Sequence, residues 1–326
     1  MRILLIGGNG FIGTPLAKQL QAAKHEVAIL HRGHPETENV KGFAHISGDR
    51  NRLSDYRDQL KQVAPDVIVD LILSSGEQAR ELMKVARSLT RRVVAISSGD
   101  VYRAWGVLHR IETGALEPLP ITEDSRLRST RKLYPPETIR AMKSIATWAT
   151  EDYDKIAVEE GVMSSPDVLG TVLRLPMVYG PGDCGHRLFP ILEQIAGGST
   201  TAILPEDFAE WRGPRGYVDN VAQAIVLAAT DDRAAGRIYN VCEEPCVSEL
   251  EWRNAVARES GWSGEFTKVP VAETPEHLRF PLNAAQHVVI MSQRIRTELG
   301  YEEIVPTEEA IRRTIAWERA NPPAKS

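Results

Sequence analysis

The chain is poor in cysteine and in aromatic side chains, and it has no long apolar run. Its 326 residues include three cysteines, at positions 184, 242 and 246, and 6% aromatic residues. Cys242 and Cys246 are four residues apart without a second pair, so they do not form a structural zinc pattern. This composition excludes a disulfide scaffold and predicts free thiols and no bound metal. Because no run of about 18 apolar residues occurs, we predict no membrane-spanning helix.

An excess of basic side chains is missing as well. The chain has 39 Lys and Arg against 44 Asp and Glu, which gives a formal net charge of −5. Proteins that coat nucleic acid are usually basic, so this balance argues against that class. The hydrophobic share of 42% and the charged share of 25% are typical of a globular protein. We therefore expect a cytoplasmic enzyme.

Short apolar segments alternate with amphipathic helical patterns through the first half of the chain. Strands that are apolar on both faces and separated by helices are typical of a parallel sheet covered on both sides. The pattern predicts an α/β fold, a Rossmann-type doubly wound parallel sheet with a smaller α+β C-terminal substrate domain. The predicted strands are Ile3–Ile6, Glu26–Leu30, Val67–Leu73, Arg92–Ile96, Thr171–Leu175 and Arg237–Val241.

A loosening of the pattern after Gly180 suggests where the domains divide. The segment 180–183 reads Gly-Pro-Gly-Asp and interrupts the regular alternation. We expect a dinucleotide-binding domain at residues 1–180 plus about 216–245. The substrate domain is then expected at residues 181–215 and 246–326.

A glycine-rich turn follows the first predicted strand directly. Gly7, Gly10 and Gly13 are spaced three residues apart and lead into a helical pattern. In such a turn the first glycine permits a tight bend, the second lets the backbone approach a pyrophosphate, and the third lets the helix pack on the sheet. The free amides at the helix start then attract phosphate. The sequence therefore predicts a dinucleotide site here.

Five segments in the same order resemble the short-chain dehydrogenase/reductase superfamily, in particular its extended branch of nucleotide-sugar epimerases and dehydratases. This resemblance implies an NAD(P)-dependent oxidoreductase, epimerase or dehydratase that acts on a hydroxyl or carbonyl carbon, with a nucleotide sugar as one candidate substrate. It also implies a homodimer as one candidate assembly. The segments are residues 7–13, 95–102, 173–183, 216–222 and 291–301.

The resemblance also implies the cofactor contacts. Arg32 follows the second strand where an NAD enzyme would have a carboxylate, which favours NADP over NAD, although a solvated loop arginine is the alternative. Asp49 would meet the adenine amino group. The full set of expected cofactor contacts is Gly7, Gly10, Phe11, Ile12, Gly13, Arg32, Asp49, Arg50, Leu71, Ile72, Leu73 and Pro176.

For catalysis the resemblance implies Ser98 and Tyr153. In the family the tyrosine takes the hydroxyl proton, the serine orients the oxygen, and a lysine four residues after the tyrosine lowers its pKa. Here that position is Ala157. The residues around Tyr153 match the family's helix, so Lys155, two residues on, is expected about 200° around that helix, away from the face of Tyr153. The sequence therefore predicts an atypical active site.

On the substrate side, Arg212 and Arg215 flank the position of the family's phosphate-binding arginine, which is Gly213 here. We expect one of them to contact an anionic substrate, and surface ion pairs are the alternative. The segment from Trp105 to Met142 carries four basic residues at 126, 128, 131 and 132. It is a candidate flap near the substrate cleft, and a solvated surface loop with ion pairs is the alternative.

Ala157 also leaves a second hypothesis open. A protein of this fold that has lost catalysis would bind a dinucleotide and act as a regulatory or RNA-associated factor. Turnover of a bound cofactor distinguishes the two hypotheses.

Overall fold

The computed structural model describes residues 1–33, 41–145 and 149–323, without the side chains at 142, 144 and 145. Seven parallel strands form the central sheet in the order β3-β2-β1-β4-β5-β6-β10. These strands are β1 (Arg2–Ile6), β2 (Glu26–His31), β3 (Ala44–Ser47), β4 (Val67–Asp70), β5 (Arg92–Ser98), β6 (Leu169–Leu175) and β10 (Ile238–Asn240). The order reverses at β1 and β4, and a ligand crevice forms at such a point, beyond the carboxyl ends of the strands.

Helices cover both faces of this sheet, which confirms the doubly wound fold. The helices in the described residues are α1 (Gly13–Ala22), α2 (Arg57–Val63), α3 (Gly76–Ala86), α4 (Arg103–Leu108), α5 (Pro136–Ile145), α6 (Lys155–Met163), α7 (Phe189–Ala196), α8 (Glu206–Glu210), α9 (Val218–Thr230), α10 (Glu249–Ser260), α11 (Gln293–Leu299) and α12 (Thr307–Ala320).

Strand β1 illustrates how the apolar sequence produces these two covered faces. Ile3 and Leu5 pack with residues of α1 and α9, whereas Leu4 and Ile6 pack with residues of α3 and α6. Side chains alternate along a strand, so a run of four apolar residues supplies both cores. No helix within the described ranges has the length and apolar character that crossing a bilayer needs.

Strand boundaries differ from the sequence expectation at the edge of the crevice. The run Val67–Leu73 was expected as one strand, but β4 ends at Asp70. Leu71 and Ile72 leave the sheet and line the crevice instead. Apolar character alone does not separate a buried strand from an apolar ligand wall, because both exclude water.

Two small parallel pairs lie outside the central sheet. They join β7 (Met177–Tyr179) with β9 (Arg215–Tyr217) and β8 (Thr201–Pro205) with β11 (Glu265–Val269). Most of these residues belong to the stretches expected to form the substrate domain, and the division of the chain into two domains remains a proposal.

Candidate active site

The glycine turn between β1 and α1 has the geometry that its sequence predicts. Gly7 has a φ of +84°, a left-handed conformation that L side chains rarely adopt. A Cβ at Gly13 would lie 2.5 Å from the carbonyl carbon of Gly8, so the helix start packs against the turn with no room for a side chain. At Gly10 the nearest atom to a Cβ would be Gly7 O, at 3.5 Å, which leaves space above the first amides of α1.

A cleft of about 590 Å³ opens from this turn along the carboxyl ends of the central strands. Its walls come from the glycine turn, the ends of β4, β5 and β6, and the residues just before α6. Both predicted catalytic residues, Ser98 and Tyr153, line it. So do eight of the predicted cofactor contacts, namely Gly7, Gly10, Phe11, Ile12, Gly13, Leu71, Ile72 and Pro176.

Four other predicted cofactor contacts are not part of this wall. Leu73 is fully buried. The Arg50 guanidinium lies in the interior, 3.0 Å from Asp70 Oδ2, and donates to Gln78 O. Asp49 accepts a hydrogen bond from the backbone amide of Asn51. Arg32 is exposed just after β2. The structure therefore uses the Arg50 side chain internally, where the sequence suggested a cofactor contact.

The expectation that Tyr153 and Lys155 are on opposite sides of one helix is wrong. Helix α6 begins at Lys155, and Asp154 is its N-cap, accepting from the amides of Ile156 and Ala157. Tyr153 thus precedes the helix, and the helical spacing rule does not apply to it. Both side chains reach the same cleft, with Lys155 Nζ 5.8 Å from the centroid of the Tyr153 ring.

Ala157 faces away from the cleft, towards α3. A Cβ on Gly76 would lie 2.9 Å from the Ala157 Cβ, so the two helices touch closely at this point. Small residues allow such an approach, and a lysine at 157 would have no room in this contact. The missing lysine at this position therefore reflects helix packing, and Lys155 supplies a cation to the cleft instead.

Lys155 is almost completely buried. Its Nζ donates to Leu73 O and to Ile96 O, the latter at 3.0 Å, and so ties together the segments that follow β4 and end β5. Burial lowers the pKa of Lys155 to about 8, while the negative charges of Asp100 and Asp70 act against this shift.

Asp100 lines the cleft next to Tyr153. It is 3% exposed, and its Oδ2 accepts from Tyr153 Oη at 2.7 Å and from Tyr134 Oη at 3.4 Å. Its Oδ1 has no hydrogen-bond partner in the described part of the chain and lies 3.8 Å from Arg128 Nη2. Burial raises the pKa of Asp100, and Arg128 opposes this shift.

The same cluster changes the expected role of Tyr153. Burial and the neighbouring Asp100 charge raise the pKa of Tyr153 well above its usual value. This phenol therefore stays protonated, and its hydroxyl donates a hydrogen bond to Asp100 Oδ2. Ser98, at the end of β5, helps to position Asp100, because its hydroxyl accepts a hydrogen bond from the Asp100 backbone amide at 3.2 Å.

Sequence reasoning missed Asp100, Arg128 and Lys155 as site residues. A signal for Asp100 was present, since it is the one carboxylate in the quoted segment 95–102, directly after a buried strand. Arg128 was grouped with a solvated flap, yet its Nε donates to Asp100 O at 2.7 Å and its side chain is fully buried. Nothing in the local sequence distinguishes it from Arg126, which is exposed.

A buried ion pair fixes α6 against the sheet and so positions Lys155. Arg174 on β6 donates to both carboxylate oxygens of Glu159, at 2.9 and 2.7 Å, and both side chains are almost fully buried. Ser97 on β5 donates to the same carboxylate at 2.6 Å. Such a bidentate, fully hydrogen-bonded pair holds its two elements in one geometry.

Glu159→Ala is expected to lower the free energy of unfolding by about 3 kcal/mol, because it leaves the Arg174 guanidinium charged and buried without its partner. Urea denaturation measures the change. Glu160→Ala is the matched control, since this neighbouring side chain is exposed and pairs with exposed Arg131, a contact worth less than about 1 kcal/mol. Equal losses in the two variants would contradict the assigned role of Glu159.

The two arginines predicted to hold substrate are outside the cleft wall. Arg215 forms an ion pair with Glu249 and lies 4.8 Å from the centroid of the Trp252 ring. Arg212 is exposed, and its backbone amide donates to His287 Nδ1 at 3.1 Å. Of the segment that joins them, Pro214 reaches the cleft.

The chain matches a protein family model and several known proteins. The model of the NAD dependent epimerase/dehydratase family matches residues 3–242. The chain is 24% identical over 265 residues to 2'-dehydrokanamycin reductase of Streptomyces kanamyceticus, a match that covers 79% of this chain and 65% of that protein. It is 25% identical over 287 residues to dTDP-6-deoxy-L-talose 4-dehydrogenase (NAD(P)(+)) of Kitasatospora kifunensis, which covers 83% of each.

A solved structure extends the likeness over the whole fold. The UDP-glucose 4-epimerase of Thermus thermophilus, in complex with NAD, has a TM-score of 0.66 and 21% sequence identity, and the superposition covers 98% of this chain and 100% of that one. At this level of identity the likeness shows a common fold.

Proposed function

The chain belongs to the NAD dependent epimerase/dehydratase family, and from this premise we propose that it is an NAD(P)-dependent oxidoreductase that interconverts a hydroxyl and a carbonyl group. The observation that carries the proposal is the hydrogen-bonded pair Asp100 and Tyr153 on the wall of the cleft that begins at the glycine turn.

The residues of the turn fit a dinucleotide. The left-handed Gly7 bend, the close contact at Gly13 and the absence of a side chain at Gly10 form a cradle in which the first amides of α1 would bind the pyrophosphate. A nicotinamide dinucleotide held there would supply or accept the hydride. Leu71, Ile72 and Pro176 would enclose it with apolar surface, as their place in the cleft wall allows.

Side chains of the protein would transfer the proton to and from the substrate oxygen. A raised pKa lets Asp100 hold a proton at a pH where an exposed aspartate has lost it. During reduction, Tyr153 would donate its hydroxyl proton to the substrate oxygen while Asp100 passes its own proton to Tyr153. Reduction therefore leaves Asp100 as a carboxylate beside the Arg128 guanidinium, and Asp100 takes up a proton from solvent before the next turnover. The oxidation runs the same transfers in reverse.

Turnover of the cofactor tests this function. Purified protein would be titrated with NADPH and NADH by calorimetry and then assayed with a panel of ketones, aldehydes and keto-sugars. We expect binding in the micromolar range and turnover with at least one carbonyl class. Absence of binding by either dinucleotide would refute the proposal, whereas binding without turnover would favour the hypothesis of a non-catalytic regulatory protein.

The choice between NADP and NAD depends on Arg32. We propose a preference for NADP, because an exposed arginine follows β2 directly, and in this fold an arginine near that position accommodates the 2′-phosphate of the adenosine ribose.

Arg32→Ala is expected to raise the Kd for NADPH about tenfold, equal to about 1.4 kcal/mol, and to leave that for NADH unchanged. The control is Arg52→Ala, another exposed arginine, which forms an ion pair with Asp55. Equal weakening of both coenzymes by Arg32→Ala would contradict the preference.

A further inference from the structure

Around the Asp100–Tyr153 pair, the cleft wall consists largely of aromatic and apolar side chains. Trp105, Tyr134, Tyr153, Met177 and Pro214 all line it. These rings belong to an aromatic chain. His109, which is not part of the cleft wall, connects the Trp105 ring to the Tyr134 ring with centroid distances of 5.7 and 5.9 Å, and the Tyr134 and Tyr153 centroids are 5.8 Å apart. Such a wall binds a flat or apolar group by contact and water exclusion.

The cations of the cleft wall already serve internal partners. Among its described residues, the positively charged side chains are Lys155 and Arg187. Lys155 donates to the two backbone carbonyls named above, and Arg187 forms an ion pair with Asp183. Arg187 belongs to the loop that passes the glycine turn, where a Cβ on Gly182 would lie 3.5 Å from Phe11. This loop therefore lies next to the turn that would hold the cofactor phosphates.

Nearby arginines are equally committed to protein groups. Arg128 binds the backbone and carboxylate of Asp100, and Arg103 forms ion pairs with Glu112 and Glu117. Arg215 is held by Glu249, as described above.

The carboxyl group of Asp100 also lies at the reacting end, buried and, among the described residues, without a hydrogen-bond partner on Oδ1. An anionic substrate would lose its hydration beside this group and find no cation released to replace it, which is costly in a water-poor site.

We propose that the substrate of this cleft is a neutral, largely apolar or aromatic carbonyl compound, or the corresponding alcohol, and that a nucleotide-diphosphate sugar does not bind here. The inference rests on the proposed oxidoreductase function and specifies its substrate class. The aromatic chain from Trp105 to Tyr153 would hold the apolar group, and the carbonyl oxygen would meet the Tyr153 hydroxyl.

The test compares two ketones that differ in one charge. Methyl 4-acetylbenzoate and 4-acetylbenzoate have the same ring and the same reacting carbonyl, and each would be offered to the full-length protein with NADPH and with NADH. We expect kcat/KM to be at least tenfold higher for the neutral ester. We also expect UDP and UDP-glucose neither to be turned over nor to compete with the ester.

A variant with an added cation in the cleft wall tests whether charge sets the substrate preference. Met177→Arg adds a cation to the half-buried cleft wall and is expected to shift the ester-to-acid ratio of kcat/KM by about tenfold towards the acid. Ile304→Arg, at a residue 51% exposed, adds the same charge outside the wall and is expected to leave the ratio unchanged.

The possible results show whether the proposed substrate class or the proposed function has failed. Turnover of UDP-glucose, competition by UDP, or an acid reduced as well as the ester would overturn the substrate class and leave the oxidoreductase function standing. If no compound is turned over, calorimetry on the cofactor-loaded protein decides. Binding of the ester and not of the acid supports the substrate class while the function fails, and absence of ester binding overturns the substrate class.

Discussion

Asp100→Asn is expected to lower kcat for carbonyl reduction by a factor of about 10³, within the range for loss of a general acid–base group. The amide keeps the size of the side chain and a hydrogen-bond acceptor for Tyr153, but it has no exchangeable acid proton to pass on. The Kd for the dinucleotide should stay within about twofold, because Asp100 belongs to the proton path and not to the glycine cradle. Steady-state kinetics and calorimetry measure the two effects.

The pH profile gives the same variant a second readout. Reduction needs Asp100 in its protonated form, so the rate should fall as the pH rises through the pKa of Asp100. Since burial raises that pKa, the fall should come at a higher pH than for an exposed aspartate. This fall in rate with rising pH should be absent from the profile of Asp100→Asn. If the fall persists in the variant, another group holds the proton.

Two further variants complete the design. Asp124→Asn removes the charge of an aspartate that is 80% exposed, and we expect it to leave kcat and the pH profile unchanged. Tyr153→Phe should cost as much as Asp100→Asn, and the double variant should be no slower than the slower single one, since both residues act in one transfer. Additive losses would contradict a shared proton path.

Gly13→Ala is expected to weaken dinucleotide binding about a thousandfold. The new Cβ would lie 2.5 Å from Gly8 C and 2.6 Å from Gly7 O, and both of these atoms belong to the backbone of the turn. The turn must therefore move away from the helix start. Losing two hydrogen bonds to a charged pyrophosphate, each worth about 2 kcal/mol, accounts for a change of this size.

The control for this variant is another glycine in a different setting. Gly197 has an ordinary φ of −70°, and a Cβ there would have no atom within 4 Å. Gly197→Ala should therefore leave both the Kd and the thermal midpoint unchanged. The idea of a tight cradle fails if Gly13→Ala binds NADPH within tenfold of the parent while keeping its thermal midpoint.

Local sequence patterns predicted much of the fold and one end of the site. The apolar run Ile3–Ile6 and the glycines after it follow backbone rules that act over a few residues, namely strand alternation and the freedom of glycine at positive φ. The proton path could not be predicted in this way. The sequence pattern placed Tyr153 inside a helix because its neighbours are helical in pattern. In the structure Asp154 is the N-cap, and the helix begins at Lys155, two residues after Tyr153.

By itself, the sequence determined a doubly wound parallel sheet and a glycine turn ready for a pyrophosphate, since both depend on residue type and close spacing. Tertiary structure alone decided that Asp100, Arg128 and Tyr153 meet in one cluster, that Lys155 enters the same cleft, and that Arg50 and Arg215 are used elsewhere. The physical reason is that a buried charge needs a partner, and the partner is chosen by distance in space. These partners come from separate segments of the chain, and no local pattern encodes their meeting.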